Sequence, residues 1–195
     1  MVSIDDGLAA FSQAHAKYSL SGNIGTASIS ISWPHNVPSS SELFDFYSKN
    51  PTDIKIETGF TPRQIFNIEK LVKGQIGYLW SVTASGNAIN PSWPKEYVVF
   101  MDSAGGNPVV AVVDQESTPV YAAYDAIEPF KISDSLGDFL LALSKLIAIV
   151  YGEFNVFDIG DDDGLSDVFI SRLEEELLPI LGQENFERFI DYFYG

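Results

Sequence analysis

Few residues in this 195-residue chain are of types that could perform chemistry, and their spacing excludes most reactions. There are no cysteines, which removes disulfides, thiolate zinc sites and cysteine nucleophiles together. The two histidines form no paired pattern. His15 falls on or beside the apolar face of an expected helix and His35 follows Trp33-Pro34 in a turn, so both are expected to be structural. With neither Cys nor paired His, soft-metal catalysis is excluded. The acids from Asp158 to Asp167 invite a calcium reading. Setting Gly164 at the sixth loop position places Asp161 and Asp163 correctly, but it puts Ile159 and Ile170 where the first and twelfth ligands must be acids, so an EF-hand is rejected. A solvated linker is the simpler account and an irregular cation site the other. Gly105-Gly106 lies between two expected strands with no Lys-Ser or Lys-Thr behind it, so it is a tight turn rather than a phosphate cradle. No Gly-x-Ser-x-Gly elbow exists, Ser85-Gly86 has no obvious base, and nothing singles out two of the 27 acids as an acid and base pair. Neither a catalytic group, a cofactor nor a metal is therefore expected.

The 27 Asp and Glu against 11 Lys and Arg leave a net charge of −16, which excludes an ordinary reader of the nucleic-acid backbone, since such a protein displaces counterions with cations. At 46% hydrophobic and 13% aromatic residues the chain can bury a sizeable core. The start, Met1-Val-Ser-Ile-Asp-Asp-Gly, has acids where a secretory signal has bases, and no apolar region follows. The most apolar stretch, Phe139 to Tyr151, contains Ser144 and Lys145 and falls short of the roughly 18 residues a bilayer span needs. A cytoplasmic protein without a membrane partner is the expectation.

The elements that must position any site are read from periodicity. Ile4, Leu8, Phe11 and Tyr18 predict a helix over about residues 3 to 18. Ala27, Ile29, Ile31 and Trp33 alternate strictly with Ser28, Ser30 and Ser32, which predicts a half-buried strand stopped by Pro34. Ser39-x-x-Glu42 is a capping box for a short helix to Asn50. Ile54 and Ile56 suggest a strand, and residues 61 to 73 fit either a helix or an extended loop with a short strand. Ile76, Tyr78, Trp80 and Val82 alternate, before a turn-rich stretch to Pro94. Strands are expected over Tyr97 to Asp102, Val109 to Asp114 and Val120 to Asp125, and their short polar links favour antiparallel neighbours. Leu136, Phe139, Leu140, Leu143, Leu146, Ile147 and Val150 predict a helix with a wide apolar face. After a polar break, Ser166 caps a helix carrying Phe169, Leu173 and Leu177; Pro179 and Gly182 end or kink it, and Phe186, Phe189, Ile190 and Phe193 mark a last amphipathic helix.

Three segments in the middle of the chain carry a likeness: Trp93-Pro-Lys-Glu-Tyr-Val-Val-Phe-Met-Asp-Ser-Ala-Gly-Gly-Asn-Pro-Val-Val110, Thr118-Pro-Val-Tyr-Ala-Ala-Tyr-Asp125 and Ile132-Ser-Asp-Ser-Leu-Gly-Asp-Phe-Leu140. In order and spacing, residues 93 to 143 resemble the SUKH superfamily, which contains yeast regulators of cell-wall glucan synthesis and many bacterial immunity proteins. Two features differ: Tyr124-Asp125 stands where similar proteins carry His-Gly, and no clear Leu-Pro-x-Asp-Tyr signature precedes the match. In this reading Gly105 and Gly106 supply the strand turn and Pro108 begins a strand. Asp134 and Ser135 belong to the Ser-Asp-Ser helix start, where Ser133, Asp134 or Ser135 provides the cap. The resemblance implies an α/β (α+β) fold with a central, largely antiparallel sheet packed by helices, and a protein that binds other proteins rather than transforming small molecules.

Residues 1–155 are therefore expected to form a SUKH-like core and residues 156–195 an acidic helical extension on or beside it. The extension, with residues 151 to 155, holds 12 acids against 2 bases, a net −10, whereas residues 1–150 hold 15 against 9, a net −6. The function expected is an immunity protein that neutralises a cognate protein toxin by direct binding, with a basic nuclease toxin as the partner an acidic surface would steer. The contact candidates are Asp161, Asp162, Asp163, Asp167, Glu174, Glu175, Trp33 and Trp93, with Tyr192 and Tyr194 beside them; for the aromatics, burial in the core competes with contact. An adaptor or scaffold in cell-wall or signalling regulation is the alternative, and a carboxylate-dependent hydrolase the third reading.

Overall fold

The computed structural model describes residues 1–195 apart from 60, 85, 104–105, 125–127 and 162–163 and the side chain of Asp161. Six antiparallel strands form its sheet, in the order β1 (Lys55–Ile56), β2 (Arg63–Ile65), β5 (Tyr97–Ser103), β6 (Val109–Val112), β7 (Val120–Ala122) and β8 (Phe130–Ser133). β5 and β6 are almost wholly buried, which explains why both read as unbroken apolar runs rather than alternations. Four of these strands, β1, β5, β6 and β7, lie where the sequence places them; β8, four residues long and ending at Ser133, was not anticipated.

α4 (Leu136–Gly152) is the central helix, with 12 of its 17 residues buried. Its cap is Ser135, whose hydroxyl accepts the Asp138 N–H at 2.9 Å. Asp138, almost fully buried, in turn accepts the Val2 N–H at 2.7 Å, which ties the chain start to this cap. α1 (Ile4–Lys17) crosses α4 where Gly7 meets Gly137; a Cβ on Gly137 would lie 2.5 Å from the Val2 oxygen, so the helices approach this closely only with glycine on both.

The cap of α2 (Ser41–Ser48) is a correction to the expected box. Ser40, not Ser39, accepts the Leu43 N–H, at 3.1 Å, and Glu42 accepts instead from Thr118 Oγ1 at 2.9 Å. Residues 61–73 hold both alternatives, β2 followed by α3 (Ile68–Gly74) capped by Asn67. The turn-rich stretch contains a strand: β3 (Trp80–Thr83) and β4 (Gly86–Ile89) make a separate hairpin. The alternating run from Ala27 to Trp33 is also a correction. It forms no ladder with the sheet; its backbone is held at Ile29, whose N–H donates to Ser48 O at 2.8 Å. Alternation reports two unlike faces and cannot say whether a neighbouring strand exists.

The polar break carries a small hairpin, β9 (Gly160–Asp161) with β10 (Gly164–Leu165), before α5 (Asp167–Leu181), capped by Ser166. Pro179 stays within α5, and Gly182, at φ 74°, ends it and starts α6 (Gln183–Tyr194). α5 packs on α4, and α6 on β8, so Phe169, Leu173, Leu177, Phe186, Phe189 and Tyr192 share one apolar cluster with Val98–Met101 and α4. Among the described residues, no helix is long and apolar enough to cross a membrane.

Candidate functional site

The acidic C-terminal segment is built on a fixed base. Asn155 receives the Phe157 N–H on its side chain at 3.1 Å and the Asp158 N–H on its carbonyl at 2.8 Å, a local turn that leaves the Phe157 ring 85% exposed. Ile159, 1% exposed, plugs the next position into the core, and its carbonyl accepts the Ser166 N–H at 3.0 Å. Because Ser166 lies opposite Ile159, Phe157 and Val168 flank the base of one hairpin, with Asp158 and Asp167 beside them. Val168, in the first turn of α5, is 71% exposed. Each of the two is a large apolar side chain left in water in an acid-rich segment, a feature of contact surfaces.

The remaining acids divide by what they touch. Arg172 holds Glu153 through Nε at 2.7 Å and Nη2 at 3.0 Å, and reaches Glu175 and Glu176 through Nη1, each at 2.9 Å. The bond to Glu153, then that to Glu176, raises the guanidinium further above its ordinary range. Lys145 of α4 meets Glu176 at 2.9 Å, and this bond, followed by that of Arg172, holds the Glu176 carboxyl below its ordinary value. Glu184 pairs with Arg188 at 2.7 Å, and Asp191 accepts the Tyr124 hydroxyl at 2.8 Å. Among the described residues of this segment Asp158, Asp167, Glu174 and Glu187 are exposed and in no ion pair, Glu187 accepting from the Gln183 amide. Of the acids expected at a contact, then, Asp167 and Glu174 present free carboxylates and Glu175 is shared with Arg172. Asp161 lies in β9; Asp162 and Asp163 lie outside the described residues.

For most of the aromatic candidates, burial, the competing expectation, is what the structure has. Trp93 is 6% exposed, its Nε1 donates to Tyr97 O at 3.1 Å and its ring centroid is 5.1 Å from that of Tyr78, so it offers a partner almost no surface. Tyr192 and Tyr194 are buried as well. Trp33 is half-buried, edge-on to Tyr47 at 5.5 Å, with Nε1 donating to Val37 O at 2.7 Å. Among the described residues the most exposed aromatic is Phe157, which sequence reasoning missed. Its signal was available: it stands in the polar break without a helical or alternating partner.

The turn residues serve the sheet. Gly106 has φ 80°, Gly105 lies outside the described residues, and Pro108 accepts the Ala123 N–H at 3.0 Å immediately before β6. Asp134 does not cap α4 but pairs with Lys131 at 2.6 Å, which lowers its carboxyl. His15 Nε2 lies 3.1 Å from Ser21 O in the loop after α1.

No family model, curated protein or solved structure matches this chain. The site must be judged on its own geometry.

Two clefts test that judgement. The larger, of about 610 Å³, lies between α1 and residues 22–26 and carries one carboxylate, Asp5, with Lys49 and His15. The smaller, of about 330 Å³, is bordered by Glu57 and Asp102 with Lys55 and Arg63. Burial raises the Asp102 carboxyl while the Ser103 N–H bond lowers it. Arg63, 3% exposed, lies flat on Tyr192, with its guanidinium carbon 3.9 Å from the ring centroid, and donates Nη2 to the Tyr192 carbonyl. Its other two nitrogens are buried without hydrogen-bond partners, and its shown contacts are with Tyr192 and Phe193 of α6. Among the described residues, no group of three or more His, Asp or Glu could hold a metal ion.

Proposed function

We propose that this chain is a non-enzymatic, intracellular binding domain, an immunity protein that neutralises a cognate bacterial toxin by covering it, and that the partner is basic. The observation that carries the reading is the exposure of Phe157, before the β9–β10 hairpin, and of Val168, after it, each next in sequence to an unpaired carboxylate, Asp158 or Asp167, on the part of the chain that concentrates the negative charge. An apolar anchor fixes the lifetime of a complex, because dissociation must return its buried surface to water, whereas unpaired acids steer a cationic partner and set the rate of encounter. Acids already satisfied by Arg172 contribute less field, so the free ones matter most. The resemblance of residues 93–143 to the SUKH superfamily supplies the class of partner.

The test is binding kinetics against the product of a toxin-like gene neighbouring this one. Reversing Asp158, Asp167 and Glu174 to Lys is expected to slow association at low salt and to leave dissociation nearly unchanged. Phe157→Ser is expected to speed dissociation instead. Association that ignores the charge reversal, or dissociation that ignores Phe157→Ser, would overturn this assignment of the surface.

A further inference from the structure

Residues 18–41 contain no Asp, Glu, Lys or Arg, the longest charge-free run in a chain of net charge −16. Within it, residues 28–33 run without turn or bend, and none of these six has a positive φ. The segment is therefore a run free of turns and left-handed residues that carries the strand pattern Ser28-Ile29-Ser30-Ile31-Ser32, yet it has no ladder. Ile29 donates its N–H to Ser48 O. Along an extended chain, successive N–H and C=O groups point to opposite edges, so the groups of Ser28, Ser30 and Ser32 face the other edge. Among the described residues the N–H groups of these three serines make no backbone hydrogen bond. All three serines are exposed, and Ile29 is 50% exposed.

Native proteins protect such edges with charges, Pro or a covering element. Here Pro34 and His35 follow the run, but the run itself has none of these. We propose that this edge accepts the same edge of a second copy, so that residues 28–32 of two chains pair antiparallel about a two-fold axis at Ser30.

The register follows from the sequence. With Ser30 opposite Ser30, Ser28 faces Ser32 and Ile29 faces Ile31, so each face of the joined ladder is uniform, serine on one side and isoleucine on the other. The serine rungs are the hydrogen-bonded pairs, which agrees with the edge left free by the Ile29 to Ser48 bond. Ile29 and Ile31 form the closer, non-hydrogen-bonded pairs, and the exposed half of Ile29 is covered. A single residue's slip would set isoleucine against serine. A partner with a different sequence would have to reproduce this alternation, whereas a second copy does so by symmetry. The absence of charge matters equally: two chains of −16 repel at long range, and this is the longest stretch where they can meet with no acid facing acid.

This pairing does not depend on the toxin-binding reading and responds to salt with the opposite sign. Salt screens attraction between an acidic face and a basic partner and weakens that complex, but it screens repulsion between two acidic copies and strengthens the dimer. Sedimentation of the full chain over a concentration and salt series is expected to show a monomer–dimer equilibrium that shifts to dimer as salt rises. Because the chain has no cysteine, register can be read by crosslinking: an equal mixture of Ile29→Cys and Ile31→Cys chains should form a disulfide-linked dimer under mild oxidation far more readily than either alone. Amide exchange at Ser28, Ser30 and Ser32 should slow with concentration while that at Ile29, already bonded, changes little. Ser30→Asp, which sets two carboxylates across the axis, should abolish the dimer and leave thermal unfolding of the monomer unchanged. A monomer up to the solubility limit, crosslinking equal in the mixture and the single variants, or a dimer that survives Ser30→Asp would each overturn the proposal.

Discussion

At the scale of single residues the molecule places its charges unevenly between those that hold the fold and those left for solvent or a partner. Glu176 belongs to the first group, joining α5 to α4 through Lys145 and bonded to Arg172. Its carboxyl lies below its ordinary 4.5 in the folded chain and returns there on unfolding, so the stabilisation is complete above that value and is lost as pH falls through the lowered one. Glu176→Gln should therefore flatten the acid limb of a stability–pH curve below about 4.5. Unfolding curves at several acid pH values that superimpose for the two proteins would contradict this. Arg63 is the contrary case, a buried cation whose Nε and Nη1 lack partners. Its worth lies in packing on Tyr192 more than in charge, so Arg63→Met, which keeps most of the volume, should change the unfolding free energy by less than about 1.5 kcal/mol. Arg63→Ala opens a cavity and should cost about 2–4 kcal/mol. Equal losses in denaturant titrations would assign the role to charge instead. Neither Arg63's burial nor the pairing of Glu175 was legible in the sequence, since both depend on contacts with side chains or backbone of other elements.

At the scale of elements, local periodicity and capping residues were enough where a segment's own face decides its state. The helices from Ile4, Leu136 and Asp167 start within a residue or two of their expectation, the last helix contains its expected Phe186, Phe189, Ile190 and Phe193, and Ser166 caps as its position foretells. They were not enough where a partner decides. The run from Ala27 to Trp33 has a strand's alternation without a strand's neighbour, and β8 has a neighbour without a conspicuous pattern. Gln75 shows the same limit. It is fully buried after α3; its side chain donates to Val99 O at 2.7 Å and accepts the Val99 N–H at 3.0 Å, covering the part of β5 beyond the register of β2 as a strand would. Nothing in the sequence marks a glutamine as a substitute for a strand. Gln75→Leu should cost about 2 kcal/mol or more, because both backbone groups of Val99 are left buried and unpaired. A loss within about 0.5 kcal/mol by chemical denaturation, the range of an ordinary surface substitution, would remove that role.

At the scale of the whole molecule the sheet, α4 and the two C-terminal helices share one apolar cluster, and the excess charge of residues 151–195 lies over that cluster on α5, α6 and the hairpin before them. The general position of the candidate surface was legible because charge can be counted by segment. Its centre was not, since the free and the satisfied acids look alike in sequence and the exposure of Phe157 depends on the Asn155 turn. The same charge predicts two salt responses of opposite sign, weaker binding to a basic partner and stronger pairing of copies through the neutral edge at residues 28–32. The account's central claim, that this chain protects by binding, is tested most directly by expressing the neighbouring toxin-like gene in cells with and without it and isolating the toxin from the survivors. Growth is expected only in the presence of the chain, together with a stable complex of the two proteins. Cells that die equally with and without it, and a toxin that purifies alone, would contradict it.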